Sequence, residues 1–149
     1  IFFGLLSVFG SYFLQTKSVD YEVFILGAII GFLCVGVLNL NNIRDIENDS
    51  KMNKKTIPTR IGFKNAKFYH YCLIILSILL ILTFATEFKI SNNFIFIIVG
   101  IIPISFHLFK VNQAKSPIEF KPLLKQLAIS IFFFSIFMSI FLIYESIFF

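Results

Sequence analysis

Two aspartates four residues apart are the side chains in this chain best suited to binding a cation. Asp45 and Asp49 follow an apolar stretch, and Asn41 stands four residues before Asp45. If a helix continues past Leu40, these three positions share one face, because helical residues four apart lie above one another. Carboxylate and amide oxygens are hard ligands that suit Mg²⁺, which also binds substrate phosphates. The spacing therefore predicts half of a magnesium site for a phosphorylated ligand.

Basic side chains surround the two aspartates. Arg44, Lys51, Lys54 and Lys55 all lie within ten residues of Asp45. They are placed to contact anionic oxygens that a metal leaves free, and an arginine can bind two such oxygens at once. The plainer interpretation is a solvated loop at a membrane edge, whose lysines only set its orientation. Spacing alone leaves both interpretations open.

Apolar helices must position this loop. The chain has 149 residues, of which 58% are hydrophobic and 14% charged, and its mean hydropathy is +0.89. Soluble domains are about 45–50% apolar and about 25% charged, so the composition excludes an ordinary soluble enzyme, a disordered chain and a disulfide scaffold. We predict an all-α, multi-pass transmembrane helical bundle, since a spanning helix needs about 20 apolar residues. The five predicted spans are 1–14, 22–40, 66–86, 94–109 and 124–148.

The basic residues orient this bundle. Eleven of the 13 lysines and arginines lie in, or within two residues of, the stretches between the second and third spans and between the fourth and fifth, and the other two are Lys17 and Lys89. By the positive-inside rule the two basic loops are cytoplasmic and the carboxyl terminus is outside. The net charge of +5 is thus explained by topology and by anionic lipids of the bilayer, and no nucleic-acid partner is expected.

Two further features are interpreted from their positions. His70 and His107 lie near the predicted cytoplasmic ends of the third and fourth spans, and we interpret them as interfacial residues rather than ligands. The chain opens at Ile1 inside an apolar run, which favours the carboxyl-terminal part of a longer protein.

The polar loop also resembles a known motif. Asn41-Asn-Ile-Arg-Asp-Ile-Glu-Asn-Asp49, followed by Asn53-Lys-Lys-Thr56 and Arg60-Ile-Gly62, is similar to the second aspartate-rich motif of the UbiA superfamily of membrane prenyltransferases. The closest likeness is to the 1,4-dihydroxy-2-naphthoate branch of menaquinone synthesis. Gly10-Ser-Tyr-Phe-Leu-Gln-Thr16 resembles a G-x-Y-x-x-Q-T segment of that branch. Asn53 stands where the branch usually has glycine.

This resemblance implies a bundle of nine helices with one aspartate-rich motif in each half. Residues 1–149 would then be the carboxyl-terminal part of a single transmembrane prenyltransferase domain, inactive without the first half. The implied reaction transfers a polyprenyl chain from polyprenyl diphosphate to an aromatic acceptor, 1,4-dihydroxy-2-naphthoate in this branch, at the bacterial cell (inner) membrane. By the same resemblance Asp45 and Asp49 are the catalytic, Mg²⁺-binding residues. The residues expected to bind the diphosphate are Asn41, Arg44, Lys54, Lys55 and Arg60, and Tyr12 is expected to shield the acceptor or the allyl cation.

Two alternatives stand beside this interpretation. One is another acceptor within the superfamily, namely 4-hydroxybenzoate or a haem- or chlorophyll-type acceptor. The other is a non-enzymatic transporter or cation-binding membrane protein. Transporters place their sites near the bilayer midplane, whereas the polar residues here cluster at one interface and the spans are almost free of charge. That distribution disfavours a transport pathway.

Overall fold

A computed structural model describes residues 1–87 and 94–148 of the chain. All regular structure within those residues is helical, which confirms the predicted all-α bundle. A π-helical segment, Phe2–Phe9, leads directly into α1, Gly10–Thr16. The later helices are α2 (Tyr21–Arg44), α3 (Ile46–Lys51), α4 (Ile57–Glu87), α5 (Phe94–Gln113) and α6 (Phe120–Phe148), and the 3-10 turn Pro117–Glu119 precedes α6.

Three stretches of helix in the described part are long and apolar enough to cross a membrane: Tyr21–Arg44, Ile57–Thr86 and Pro117–Ile143. The first predicted span corresponds to a shorter apolar helix, Phe2–Thr16. The fourth corresponds to α5, which contains Pro103. Lys89, which we expected in the loop on the non-cytoplasmic side, lies outside the described residues.

Two helices extend beyond the apolar stretches that predict them. The second predicted span ends at Leu40, whereas α2 continues to Arg44. The third begins at Ala66, whereas α4 begins at Ile57. Hydropathy detects only the apolar part of a helix, whereas α2 stays helical past Leu40 and a further helical turn precedes the bend at Gly62 in α4. At the start of α4, the Thr59 N–H donates to Thr56 Oγ1 over 3.3 Å and the Thr56 N–H donates to Thr59 Oγ1 over 2.8 Å. This reciprocal cap satisfies N–H groups that a helix start leaves free.

Helix α2 is the centre of the bundle. It packs mainly against α4, the π-helical segment and α6, while α5 packs mainly against α6. Leu33, Leu40 and Ile43 of α2 are fully buried, as are Ile74 of α4 and Leu127 of α6. Lipid is as apolar as these side chains, so close van der Waals packing rather than exclusion of water holds such helices together.

Glycines allow a close helix contact in the bundle. A Cβ atom on Gly4 would lie 2.3 Å from the Gly27 carbonyl oxygen and 2.4 Å from the Gly31 Cα. Both partners are backbone atoms that a rotamer change cannot move. The π-helical segment therefore lies directly on the backbone of α2, a contact typical of small residues between membrane helices.

The structure corrects the interpretation of the two histidines. The side chains of His70 and His107 have no exposed surface, and their Nε2 atoms are 3.0 Å apart. They point into the bundle between α4 and α5 rather than toward its surface. Sequence position along a span gives depth but not the direction in which a side chain points, which is why the pairing was missed.

Candidate functional site

The two aspartates lie where α2 gives way to α3. Asp45 has φ −95° and ψ 7°, so the chain bends there before α3 begins at Ile46. Two backbone hydrogen bonds cross the bend: the Asp45 N–H donates to the Asn41 carbonyl over 3.2 Å, and the Asp49 N–H donates to the Asp45 carbonyl over 2.8 Å. These are bonds of helical spacing. Asn41, Asp45 and Asp49 thus keep the four-residue repeat that the sequence predicts.

Arg44 joins Asn41 to Asp45. Its Nε and Nη2 donate to Asp45 Oδ1 and Oδ2 over 2.8 Å and 2.6 Å, and Nη2 also donates to Asn41 Oδ1 over 2.9 Å. A two-pronged contact of this kind fixes both side chains in one orientation. The Asp45 and Arg44 side chains keep 30% and 31% of their surface exposed, so the cluster remains open to a ligand from solvent.

The charge around Asp45 keeps this carboxyl ionised. The hydrogen bond from Arg44 lowers the pKa of Asp45 from its ordinary value, against a smaller opposing effect of burial, and the charges of Arg44 and Lys54 add to the lowering. Hydrogen bonds and nearby positive charge both favour the anionic form of a carboxyl group. Asp45 is therefore an anionic oxygen ligand throughout the neutral range.

Asp49 differs from Asp45 in being buried. Only 6% of the residue is exposed, and its Oδ1 accepts a hydrogen bond from Lys54 Nζ over 3.1 Å. Its Oδ2 is buried and has no hydrogen-bond partner among the described residues. A buried, unpaired carboxylate oxygen is costly, and a bound cation would satisfy it. The residues present therefore fit a hard divalent cation held by carboxylate oxygen.

The site offers such a cation two carboxylates, those of Asp45 and Asp49. Within residues 1–87 and 94–148, no group of three or more histidine, cysteine, aspartate or glutamate side chains could hold a metal ion. Mg²⁺ often binds through one or two carboxylates and fills its remaining positions with water and substrate phosphate. An aspartate pair is thus enough for Mg²⁺, whereas a structural zinc site would need more protein ligands.

The turn after α3 places Lys54 beside the aspartates. Asn53 adopts the left-handed conformation with φ 54°, and the Lys54 N–H then donates to the Asp49 carbonyl over 2.8 Å. Thr59 Oγ1 donates to the Lys54 carbonyl over 3.1 Å, so the cap of α4 holds the same turn. The glycine expected at position 53 would enter this conformation without strain, and asparagine is among the few other residues that tolerate it.

A second special conformation explains the end of the motif. Gly62 has φ 80° and ψ 164° and bends the chain inside α4. Residues with a side chain rarely adopt this conformation. The R-x-G part of the motif therefore marks a backbone bend between the cap of α4 and its membrane-crossing part.

An apolar groove of about 460 Å³ begins at Asn41. Its walls come from α2 and α6, with one side chain from the π-helical segment. Asn41 is the polar residue among those that line it, and the others are Phe3, Cys34, Val37, Leu38, Leu124, Ala128 and Ile131. The groove leads from the aspartate-rich end of α2 toward the middle of the helix.

Three predicted site residues are not brought to the aspartates. Lys55 and Arg60 are exposed, and in the described part of the chain neither makes a hydrogen bond or ion pair with Asp45 or Asp49. Tyr12 lies at the opposite end of α2, where its hydroxyl donates to Asp20 Oδ2. The 25 residues from Asp20 to Asp45 span roughly 37 Å as a helix, so Tyr12 is remote from the site.

Sequence reasoning also missed residues that hold the site's framework. Asn39 is 3% exposed and its Nδ2 donates to the Ala66 carbonyl over 3.0 Å, which ties α2 to α4. Lys67 Nζ donates to the Asn112 and Ala114 carbonyls at the end of α5. The helical spacing of Asn39 with the buried Ile43 was a signal for the first contact. The position of Lys67 in the sequence did not predict its contact with the end of α5.

The chain is similar to known membrane prenyltransferases. The model of the UbiA prenyltransferase family matches residues 1–137. The 1,4-dihydroxy-2-naphthoate octaprenyltransferase of Haemophilus influenzae is 37% identical over 129 residues, which cover 86% of this chain and 42% of that protein. The enzyme of the same name from Escherichia coli is 39% identical over 84 residues, or 56% of this chain and 27% of that protein.

A third relative and the search of structures complete the comparison. The 1,4-dihydroxy-2-naphthoate octaprenyltransferase of Bacillus subtilis is 41% identical over 64 residues, or 42% of this chain and 20% of that protein. No solved structure matches the chain at a significant level. The chain thus spans less than half the length of the curated relatives described here. With its family match over nearly the whole sequence and its long apolar helices, this integral membrane protein belongs to the UbiA prenyltransferase family.

Proposed function

We propose that this chain forms the part of a membrane prenyltransferase that carries one of two aspartate-rich motifs. The complete enzyme would transfer a polyprenyl chain from its diphosphate to 1,4-dihydroxy-2-naphthoate in menaquinone biosynthesis. The relatives that the chain resembles carry that name, at 37% identity over 86% of this chain in the first case. Because the chain covers only 42% of that relative, we propose that residues 1–149 alone have no turnover.

The observation that carries this proposal is that each aspartate contacts a basic side chain. Arg44 contacts Asp45, and Lys54 contacts Asp49, at one end of α2. A diphosphate leaving group needs both a metal, which carboxylates hold, and cationic donors, which neutralise the charge that develops on it. The α2–α3 junction supplies both kinds of group within one short segment.

Each side chain has a distinct role in this proposal. Asp45 and Asp49 would hold Mg²⁺, which when bound acts as a Lewis acid on the diphosphate oxygens. Arg44 and Lys54 would orient the diphosphate by hydrogen bonds, and Asn41 would keep Arg44 in place. Lys55 and Arg60 are exposed, so we propose that they attract the anionic substrate rather than contact the reacting bond.

The groove that starts at Asn41 suits the hydrocarbon part of the donor. Its lining is uncharged and, apart from Asn41, mostly apolar, which suits an isoprenoid chain. Its polar end coincides with the end of α2 where the diphosphate would bind. We therefore place the first isoprene units in the groove between α2 and α6.

We also propose a topology and a location. The loop with Asp45 and Asp49 would face the cytoplasm and the carboxyl terminus would lie outside the bacterial inner membrane, as the distribution of basic residues favours. A soluble aromatic acid and a prenyl diphosphate would then meet at the cytoplasmic interface.

The test uses the complete protein in membranes, supplied with Mg²⁺, one polyprenyl diphosphate and a panel of aromatic acceptors. We expect prenylated product from 1,4-dihydroxy-2-naphthoate and at least tenfold less from 4-hydroxybenzoate. Preference for 4-hydroxybenzoate would overturn the choice of acceptor. Absence of product with every acceptor, from protein shown to be folded, would overturn the assignment of prenyl transfer.

A further inference from the structure

The seam between α4 and α5 contains a pair of histidines that the proposed reaction does not use. His70 and His107 are both fully buried. Their Nε2 atoms are 3.0 Å apart, and the rings meet edge to face with centroids 5.2 Å apart. A distance of 3.0 Å is ordinary for a hydrogen bond from a ring N–H to a ring nitrogen. One imidazole must then donate from Nε2 while the other accepts there.

The surroundings of the pair make it neutral. Gly36 of α2 and Leu127 of α6 pack against each other beside His70, and neither residue is titratable. The nearest charges along the two helices are Lys67 and Lys110, each three residues from its histidine. No carboxylate contacts either ring within residues 1–87 and 94–148. An added proton would therefore be a buried, uncompensated positive charge among positive neighbours, which is strongly unfavourable.

The histidine pair is one of three polar links described here between α4 and α5, and it is the one whose side chains are fully buried. Nearer the cytoplasmic ends, Lys67 Nζ donates to the Asn112 carbonyl over 3.0 Å and to the Ala114 carbonyl over 2.7 Å. Between these contacts Tyr71 Oη lies 3.5 Å from Asn112 Oδ1. Lys67 thus caps the last carbonyls of α5, where a cation is favoured. Of the side chains in these links, only imidazole has an ordinary pKa between 5 and 8.

We propose that His70 and His107 form a proton-sensitive clamp between α4 and α5, closed while both imidazoles are neutral and opened when the pair takes up protons. A first extra proton places charge in the apolar seam. A second removes the only acceptor in the pair and sets two positive rings against each other. The free energy of both steps is relieved when the seam opens and water reaches the rings.

The clamp has a physical connection to the aspartate-bearing segment. Beyond α5, Phe120 is fully buried and its ring contacts that of Phe63, with centroids 5.7 Å apart. Phe63 and Pro117 line a cleft whose other wall is α3, formed by Ile46, Glu47, Ser50 and Lys51. Opening of the seam would loosen the α5–α6 connection on one side of that cleft, so the clamp would act on the packing beside α3.

Hydrogen–deuterium exchange of the complete protein in detergent tests the clamp without any measurement of prenyl transfer. After correction for the intrinsic rate, we expect peptides from residues 67–75 and 101–113 to exchange faster at pH 5 than at pH 7.5. An imidazole in water has a pKa near 6.5, so an opening that exposes one of them is favoured about thirtyfold more at pH 5 than at pH 7.5. Corrected exchange at the seam that is the same at both pH values would overturn the proposal.

Two variants separate the clamp from a general effect of acid. His70→Gln with His107→Gln keeps an amide hydrogen bond in place of the imidazole pair but does not titrate, and we expect its seam to lose the pH dependence. Tyr71→Phe removes a neighbouring polar link and should keep the thirtyfold dependence. If the double variant fails to fold, peptides from residues 21–33 of α2 in the wild-type protein serve as the reference: faster exchange at pH 5 in the seam alone supports the clamp, and the same acceleration in both regions overturns it. A seam protected by Zn²⁺ and released by EDTA would show a metal-bridged pair and overturn the proposal.

Discussion

Asp49 is nearly buried and has one oxygen that nothing in the described part of the chain satisfies, whereas Asp45 is partly exposed and held by both prongs of Arg44. The two carboxylates therefore present different environments to a cation. Asp49 offers an unpaired oxygen, and Asp45 offers a carboxylate whose oxygens already accept hydrogen bonds. At the scale of the residue, a metal ion and Arg44 would compete for the Asp45 carboxylate oxygens. Binding of the metal would then free the Arg44 guanidinium to contact a phosphate.

The charge of Arg44 should be visible in the pH dependence of metal binding. Arg44 lowers the pKa of Asp45 from its ordinary value of 3.8. Asp45 therefore stays anionic as the pH falls through 3.8 and is protonated only near its lower pKa in the folded protein. Arg44→Gln should therefore move the acid limit of Mg²⁺ binding to higher pH, as followed by calorimetry on the complete protein. The exposed Lys55→Gln is the control. An unchanged acid limit in the Arg44 variant would contradict the pairing.

The turn at Asn53 allows a second test at this scale. Its left-handed φ of 54° costs a residue with a Cβ about 1–2 kcal/mol, and a β-branched residue more. Asn53→Gly should keep or raise thermal stability in detergent, and Asn53→Val should lower it and weaken activity by misplacing Lys54. Met52→Val, at a neighbouring exposed position with φ −89°, is the matched control. Equal stability of the two valine variants would refute the role given to this turn.

At the scale of the element, the apolar pattern predicted the helices but not which helices pack against each other. The apolar stretches predicted α2 and α4. The segment from Asn41 through Gly62 resembles a known motif, and that resemblance predicted the site. The helices are longer than the apolar stretches, because polar turns extend them: α2 runs past Leu40 to Arg44, and the Thr56 cap starts α4 before Ala66. The His70–His107 pair could not be predicted, because it depends on the rotation of two helices and not on spacing within one.

The contact of the π-helical segment with α2 is the sharpest packing constraint among the elements. A methyl group on Gly4 would overlap the backbone at Gly27 and Gly31, so Gly4→Ala should force the two helices apart at a cost of about 1–3 kcal/mol. Gly10→Ala is the matched control, because nothing lies within 4 Å of a Cβ there. Thermal unfolding of the complete protein in detergent compares them. Equal midpoints for the two variants would contradict the close contact.

At the scale of the whole molecule, the two ends of α2 carry polar groups that differ in kind. One end carries Arg44, Asp45 and the basic turn that follows. The other carries Tyr12, Ser18 and Asp20, joined by hydrogen bonds. The helix between these ends is long and apolar enough to cross the bilayer, and the proposed chemistry belongs to one end only.

This arrangement predicts opposite accessibility of two exposed positions. In a background with Cys34→Ala and Cys72→Ala, single cysteines at Met52→Cys and Val19→Cys should react with an impermeant maleimide from opposite sides of sealed vesicles. Met52 and Val19 are 80% and 72% exposed, so both thiols are reachable. Inside-out vesicles should label position 52 and right-side-out vesicles position 19. Labelling of both from one side would refute the topology.

The aspartate pair itself gives the most direct test of prenyl transfer by this protein. The measurement is Mg²⁺-dependent prenylation of 1,4-dihydroxy-2-naphthoate by the complete protein, in wild-type form and with Asp45→Asn, Asp49→Asn or Glu47→Gln. Glu47 is an exposed carboxylate on the same short helix as Asp49, so its variant controls for charge and expression. We predict at least a hundredfold loss of rate for each aspartate variant and less than a threefold change for Glu47→Gln. Near wild-type rates for Asp45→Asn and Asp49→Asn would contradict the account.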